Sequence, residues 1–343
     1  MPLTPTSLFA DALKAGASDV HVVVDSPILF RIDGVLTPQG KKETTAAEAE
    51  KFVKDVVGEA NFKILKDSKE VDAAYDLEGG VRLRVNAHYE RGNVGLAARI
   101  IPSDIPSVED LGLAEIATRF GSQREGLVLF TGPTGAGKST SLASILHAIN
   151  QQRAANIVTL EDPIEFLFPK GMGVIRQRQL GSDFLSYAEA LKRVLRQDPD
   201  IVMVGEMRDP ETIAAALTLG ETGHLIFATL HTPNAVQTID RIIDVFPPHQ
   251  QPQVRSQLSM SLKAVVAQRL LPAANGGRVA QREVLINIPA SANIIRDNRI
   301  QELRSVLQTG SDEGMISFEK DAKRLYKEGI ISKEVYEWAT VGV

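Results

Sequence analysis

At 343 residues the chain exceeds one typical core and suits two domains, and its 43% hydrophobic and 24% charged residues exclude disorder and collagen-like repeats. A formal charge of −5 leaves no global basic field for nucleic acid, and zero cysteines exclude disulfides, thiolate catalysis and Cys-ligated zinc. No apolar run approaches the roughly 18 residues of a membrane span. Met1 to Ala10 has neither the basic leader nor the apolar core of a signal peptide. A cytoplasmic protein without membrane insertion is expected, one that docks on other proteins if it works at a membrane.

The first hundred residues read as mixed, strand-rich structure. Residues 7–15 form a short helix pattern closed by Gly16, a suitable left-handed cap. Val20 to Val24 is a β-branched run, and Ile28 to Leu36 carries the turn signal Asp33-Gly34, which predicts a hairpin. Residues 45–66 alternate apolar and charged positions at helical spacing, and Val81 to His88 and Val94 to Ile101 return to strand composition. The segment Pro102 to Ser107 is polar, with prolines at 102 and 106. It marks a domain boundary, giving a first domain over 1–101, a linker over 102–110 and a second domain over 111–343.

The second domain has α/β character. Four short apolar runs alternate with helix-like segments: Leu127 to Phe130, Ile157 to Leu160, Ile201 to Val204, and Leu225 to Leu230. Runs apolar at consecutive positions suit parallel strands buried between helix layers. From Ser317 the pattern suggests two helices, with Gly329 ending the first and Ser332 capping the second.

The strongest chemical signal is Gly132-Pro133-Thr134-Gly135-Ala136-Gly137-Lys138-Ser139-Thr140, a P-loop between a predicted strand and a predicted helix. Its glycines let backbone N–H groups wrap a β-phosphate. Lys138 would neutralise β/γ oxygens, and Ser139 would be a Mg²⁺ ligand. The helix that starts there adds a positive N-terminal dipole. ATP and Mg²⁺ are therefore the expected ligands.

Each predicted strand then ends in polar residues. Ile157 to Leu160 runs into Glu161-Asp162, with Glu165 close behind; Ile201 to Val204 ends at Gly205-Glu206; Leu225 to Leu230 ends at His231. Ligands of open α/β sheets bind at the carboxyl ends of strands, so these residues converge on one site. Glu206 is the candidate that positions and deprotonates the attacking water. Gly205 stands where an aspartate that reaches magnesium is usual, which leaves metal contact to Ser139, waters and either Glu161 or Asp162. The carboxylates from Glu161 to Glu165 also suit a structural reading, such as a helix cap. His231 would sense the γ-phosphate, and His224, just before the strand, would do something related. His21, His88, His147 and His249 have no such context, and the six histidines offer no metal-site spacing. Arg82 and Arg84 share a strand face and Arg99 lies on the next strand. They fit either arginine fingers that complete a neighbour's site or local salt bridges. Arg193 and Arg196 read as an ordinary helix surface.

Beyond the P-loop, the chain resembles the secretion ATPase superfamily of type II secretion and type IV pili, most closely its pilus retraction ATPases. Gly16 to His21, the P-loop, the aspartate box Thr159 to Phe166, the atypical Walker B Asp198 to Asp209, the histidine box Thr222 to Thr232, and Arg241 to Pro247 carry the resemblance. It implies a PAS-like α+β N-terminal domain followed by a RecA-like P-loop ATPase domain with a largely parallel sheet. It implies a hexameric ring that hydrolyses ATP between domains, docks at the inner face of the cytoplasmic membrane on a pilus platform protein, and removes pilin from the pilus base. By the same resemblance Glu206 is the catalytic glutamate, Lys138 the Walker A lysine, and Arg82, Arg84 and Arg99 the N-domain arginines. Short length and the absence of a four-cysteine zinc site favour retraction over assembly or type II secretion. One departure lies at Ser291-Ala292-Asn293-Ile294-Ile295-Arg296-Asp297, where the family's retraction segment has a further arginine; this leaves room for an accessory retraction paralogue. A RecA-like nucleic-acid translocase and a non-hydrolysing nucleotide-binding scaffold are the readings from other classes. The acidic balance disfavours the first and Glu206 the second.

Overall fold

A computed structural model describes residues 4–32, 34–77, 81–101 and 104–340. Asp33 of the hairpin signal and residues 102 and 103 of the linker lie outside them. The chain divides into two compact units, Met1–Asp104 with Glu165–Leu167, and Ile105–Ile164 with Phe168–Val343.

The first unit is α+β. Helix α1 (Pro5–Lys14) precedes β1 (Ala17–Val22), β2 (Leu29–Ile32) and β3 (Val35–Pro38); α2 (Ala46–Ser68) precedes β4 (Glu70–Leu77), β5 (Val81–Glu90) and β6 (Asn93–Ile100). The six strands form an antiparallel sheet in the order β3-β2-β1-β6-β5-β4. Alternation along the strands decides which face is covered. Leu83, Val85 and Ala87 of β5 and Leu96 and Ala98 of β6 are buried in one cluster with Phe9, Phe52, Val53 and Leu65 from the two helices. The intervening residues, among them Arg82, Arg84 and Arg99, fall on the opposite face. Helix α2 begins in a reciprocal capping box, Thr45 with Glu48, and is kinked at Gly58, whose φ of 77° is outside the helical region. The helix expected over 45–66 is therefore two helical pieces. Strand β4 has no counterpart among the sequence expectations.

In the second unit the predicted parallel strands are β7 (Gly126–Thr131), β8 (Asn156–Glu161), β10 (Ile201–Val204) and β11 (Leu225–Leu230). Consecutive residues in them are buried, so both sheet faces are covered. Three further strands join them: β9 (Val174–Gln179), β12 (Leu262–Pro272) and β13 (Arg278–Ile286). The sheet order is β13-β12-β7-β11-β10-β8-β9, parallel throughout except for the β12–β13 pair. Its helices in chain order are α3 (Ala114–Gly121), α4 (Lys138–Gln152), α5 (Tyr187–Val194), α6 (Pro210–Glu221), α7 (Ala235–Asp244), α8 (Gln251–Ser261), α9 (Pro289–Arg296), α10 (Leu303–Thr309), α11 (Phe318–Lys327) and α12 (Lys333–Thr340). The tail follows the expectation: Ser317 caps α11 and accepts from the Lys320 amide, Gly329 takes a φ of 70°, and the Ser332 hydroxyl accepts from the Val335 amide. Among the described residues no helix is long and apolar enough to cross a membrane.

Candidate active site

The register of the parallel sheet brings the polar strand ends together. Leu230 of β11 sits beside Thr131 of β7, and Val204 of β10 beside both Ala228 and Leu160. Thr131, Glu161, Gly205 and His231 therefore lie along one edge, where the P-loop leaves β7.

The loop is shaped by close backbone approach. A Cβ at Gly132 would lie 2.1 Å from the Gln268 carbonyl oxygen, so only glycine fits there. Gly137 takes a left-handed φ of 83° and starts α4, whose free N-terminal N–H groups open onto the loop. Lys138 is buried and its ammonium donates to the Gly132 and Pro133 carbonyls at 2.7 and 3.0 Å, which places the charge at the mouth of the loop. Ser139 and Thr134 are exposed.

Glu206 stands on a turn pinned from β11. The Gly205 amide donates to the Leu160 carbonyl at 2.7 Å, the Thr229 hydroxyl donates to the Gly205 carbonyl, and the Met207 amide donates to the Thr229 carbonyl at 3.0 Å. A Cβ at Gly205 would meet Leu160 O at 3.0 Å and the Tyr187 hydroxyl at 3.2 Å. The position that commonly holds a magnesium-binding aspartate is thus filled by neighbours. The Glu206 side chain, 20% exposed, pairs with Arg208 and lies 3.5 Å from His231 Nε2. A cavity of about 650 Å³ opens here, lined by Pro133, Thr134, Arg208, His231, Thr232 and Arg241 among others. Burial, with the cations Lys138 and Arg208 nearby, holds the His231 imidazole below its ordinary pKa.

Glu161 is buried and accepts from the Thr159 hydroxyl at 2.6 Å and from Gln177 at 3.1 Å, so its carboxylate already serves a structural network. Asp162 is exposed beside it. Burial and the Asp162 and Glu161 carboxylates push the Tyr187 hydroxyl well above the usual phenol range. That hydroxyl is buried without a hydrogen-bond partner among the described residues.

Other candidates lie elsewhere. Glu165 is exposed and belongs to the 165–167 segment of the first unit. His224 is not at this edge: it stands at the amino end of β11, where Nδ1 faces the Leu219 carbonyl at the end of α6 at 3.3 Å. The three arginines share one face of the first unit's sheet, since Arg84 is the register partner of Arg99. Arg82 pairs with Asp76 at 3.2 Å and Arg99 with Asp19 at 2.8 Å. Arg84 is exposed and has no ion-pair partner among the described residues. Thr229, Tyr187 and Gln268 were invisible as site residues in the sequence. Nothing local in a strand threonine or glutamine distinguishes it until the partner strand is known.

The family model described as type II/IV secretion system protein matches residues 2–328. The chain belongs to that family. Among curated members, it is 41% identical to the type IV pilus retractation ATPase PilT of Pseudomonas aeruginosa, over 96% of both chains. It is 44% identical to the twitching motility protein of Neisseria gonorrhoeae, over 94% of this chain and 86% of that one. Among solved structures, the pilus retraction motor PilT with bound ADP superimposes with a TM-score of 0.92 at 40% identity, covering 99% of this chain and 97% of the other. The family relationship thus spans both units.

Proposed function

We propose that this chain is an ATP-hydrolysing motor that powers type IV pilus retraction, withdrawing pilin from the pilus base during twitching motility. The chain is an ATPase of the secretion family. The observation that carries the retraction reading is its likeness to retraction ATPases across nearly the whole of both chains. Lys138 and the N-terminus of α4 bind and orient the nucleotide phosphates. Glu206, held by the Thr229-pinned turn, aligns and deprotonates water, while His231 donates to the transferred phosphoryl group or to Glu206. Magnesium, when bound, spreads the phosphate charge. Ser139, Asp162 and Glu161 offer it only oxygen donors, as a hard cation prefers. Among the described residues no cluster of three or more His, Asp or Glu is arranged to hold a metal.

Several parts of this reading concern the assembly. Domains 1–101 and 111–343, joined by the 102–110 linker, move against each other as six copies form a ring docked on a platform protein at the inner membrane face. Arg84 is the arginine available to reach a neighbour's nucleotide, because Arg82 and Arg99 already hold Asp76 and Asp19. Glu165 and His224 act outside the phosphate edge of their own chain. The accessory-paralogue reading keeps one specific support. The segment 291–297 lacks the family's first arginine, and with Ile294 and Ile295 in the core its exposed residues are Asn293, Arg296 and Asp297.

The purified protein tests the enzymatic core. It should hydrolyse MgATP, and Glu206→Gln should lower kcat by about a hundredfold or more while nucleotide still binds. Equal rates in the two proteins would remove Glu206 from the catalytic role. Negligible turnover by the parent would leave a nucleotide-binding scaffold.

A further inference from the structure

Gln268 lies in β12, next to the strand that feeds the P-loop, and is only 2% exposed among the apolar residues Ala264 to Ala267. An amide buried there is costly unless both its ends are bonded. Its nitrogen donates to the Ala136 carbonyl at 2.6 Å, inside the P-loop. Its oxygen accepts from the Ser141 hydroxyl at 2.9 Å, on the first turn of α4. One side chain therefore spans the junction of loop and helix, and its backbone carbonyl is the atom that crowds Gly132 at the other end of the loop.

The orientation of that amide is set by a charge. Arg282 is the register partner of Gln268 on β13, is 7% exposed, and donates from Nε to the same amide oxygen at 3.0 Å. Its backbone amide donates to the Asp321 carboxylate of α11 at 2.7 Å. A guanidinium can only donate, so the Gln268 oxygen must face it and the nitrogen must face Ala136. The consequence for the loop follows from peptide geometry. The Ala136 carbonyl and the Gly137 N–H belong to one planar trans unit and point in opposite directions. Drawing that carbonyl toward β12 turns the Gly137 N–H away from it, toward the side on which a phosphate is wrapped.

We propose that Gln268 is a positioning residue of the nucleotide site, holding the P-loop in its phosphate-wrapping conformation with Arg282 as the buried anchor that orients its amide. This inference rests on the ATP-binding reading of the loop. Gln268→Glu keeps the shape and the acceptor for Arg282 and Ser141, and places an acceptor against the Ala136 carbonyl. Gln268→Asn keeps the amide but withdraws it by about 1.5 Å, one C–C bond.

The probe is a fluorescent ADP analogue with magnesium, titrated into the full chain, alongside the thermal midpoint of each protein without nucleotide. Both variants should bind at least about tenfold more weakly than the parent, the scale of one lost buried hydrogen bond. The Gln268→Glu midpoint should stay at or above that of the parent, because Arg282 gains a carboxylate. A purely structural role would instead lower midpoint and affinity together. Affinity within about twofold of the parent in either folded variant overturns the proposal, as does a joint fall in Gln268→Glu. If Gln268→Glu does not fold, Gln268→Asn decides. A parent that binds no ADP overturns the nucleotide reading itself, a different result from a tight parent and unaffected variants.

Discussion

His231 lies 3.5 Å from Glu206, and its environment predicts the acid side of the activity profile. Burial first, then the charges of Lys138 and Arg208, hold its pKa below the ordinary 6.5. The imidazole is thus neutral at pH 7, and its proton arrives only as pH falls past 6.5 toward the lowered value. Since the unfolded chain protonates first, stability is also lost over that window as pH falls. ATP turnover should be level near about pH 7.5, with the His231-dependent fall centred below the ordinary 6.5. A pH–kcat profile of the parent and of His231→Gln checks this: the lower limb should vanish in the variant. A limb centred at or above 6.5 that disappears in His231→Gln would show that the imidazole is charged during turnover.

At the scale of elements, what the sequence made readable follows from burial. Strands β7, β8, β10 and β11 are apolar on both faces, so their composition declares them, and the residues after each strand declare the site edge. The pair β12 and β13 was unreadable for the opposite reason. Gln268, Gln281, Arg282 and Glu283 are all below 9% exposed, yet polar runs ordinarily mean surface. Only their cross-strand partners, unknown to the sequence, make them core. Strand β4 hid because Glu70, Asp72, Ala74 and Asp76, poor strand formers, alternate with Val71, Ala73, Tyr75 and Leu77. Helix ends were more accessible where glycine or serine marks them, as at Gly329 and Ser332. Asp209, read only as part of the strand-end motif, caps α6, accepting from the Thr212 amide at 2.8 Å and hydroxyl at 2.7 Å. Burial alone would raise its pKa, but these hydrogen bonds outweigh it and hold the carboxyl below 3.8. Its contribution is therefore present above that value and lost as pH falls through the lowered one. Asp209→Ala should cost about 1 kcal/mol at neutral pH and lower the apparent thermal midpoint by roughly 2–4 °C. Scanning calorimetry checks it, and an unchanged midpoint would mean the cap is dispensable.

At the scale of the whole molecule, the chain divides into two units of different character. The second holds the P-loop, Glu206 and His231 on a rigid parallel sheet. The first presents a polar sheet face on which Arg84 is exposed and two companion arginines are committed to local carboxylates. The proposed motor would have its site finished by a neighbouring copy, and the family match over residues 2–328 takes in residues of both units. The central claim is that ATP hydrolysis at this site withdraws pili. It is tested most directly by counting surface pili on cells whose chromosomal copy carries Glu206→Gln. The account predicts abundant pili on cells that no longer twitch; bald cells would contradict it and identify an assembly motor.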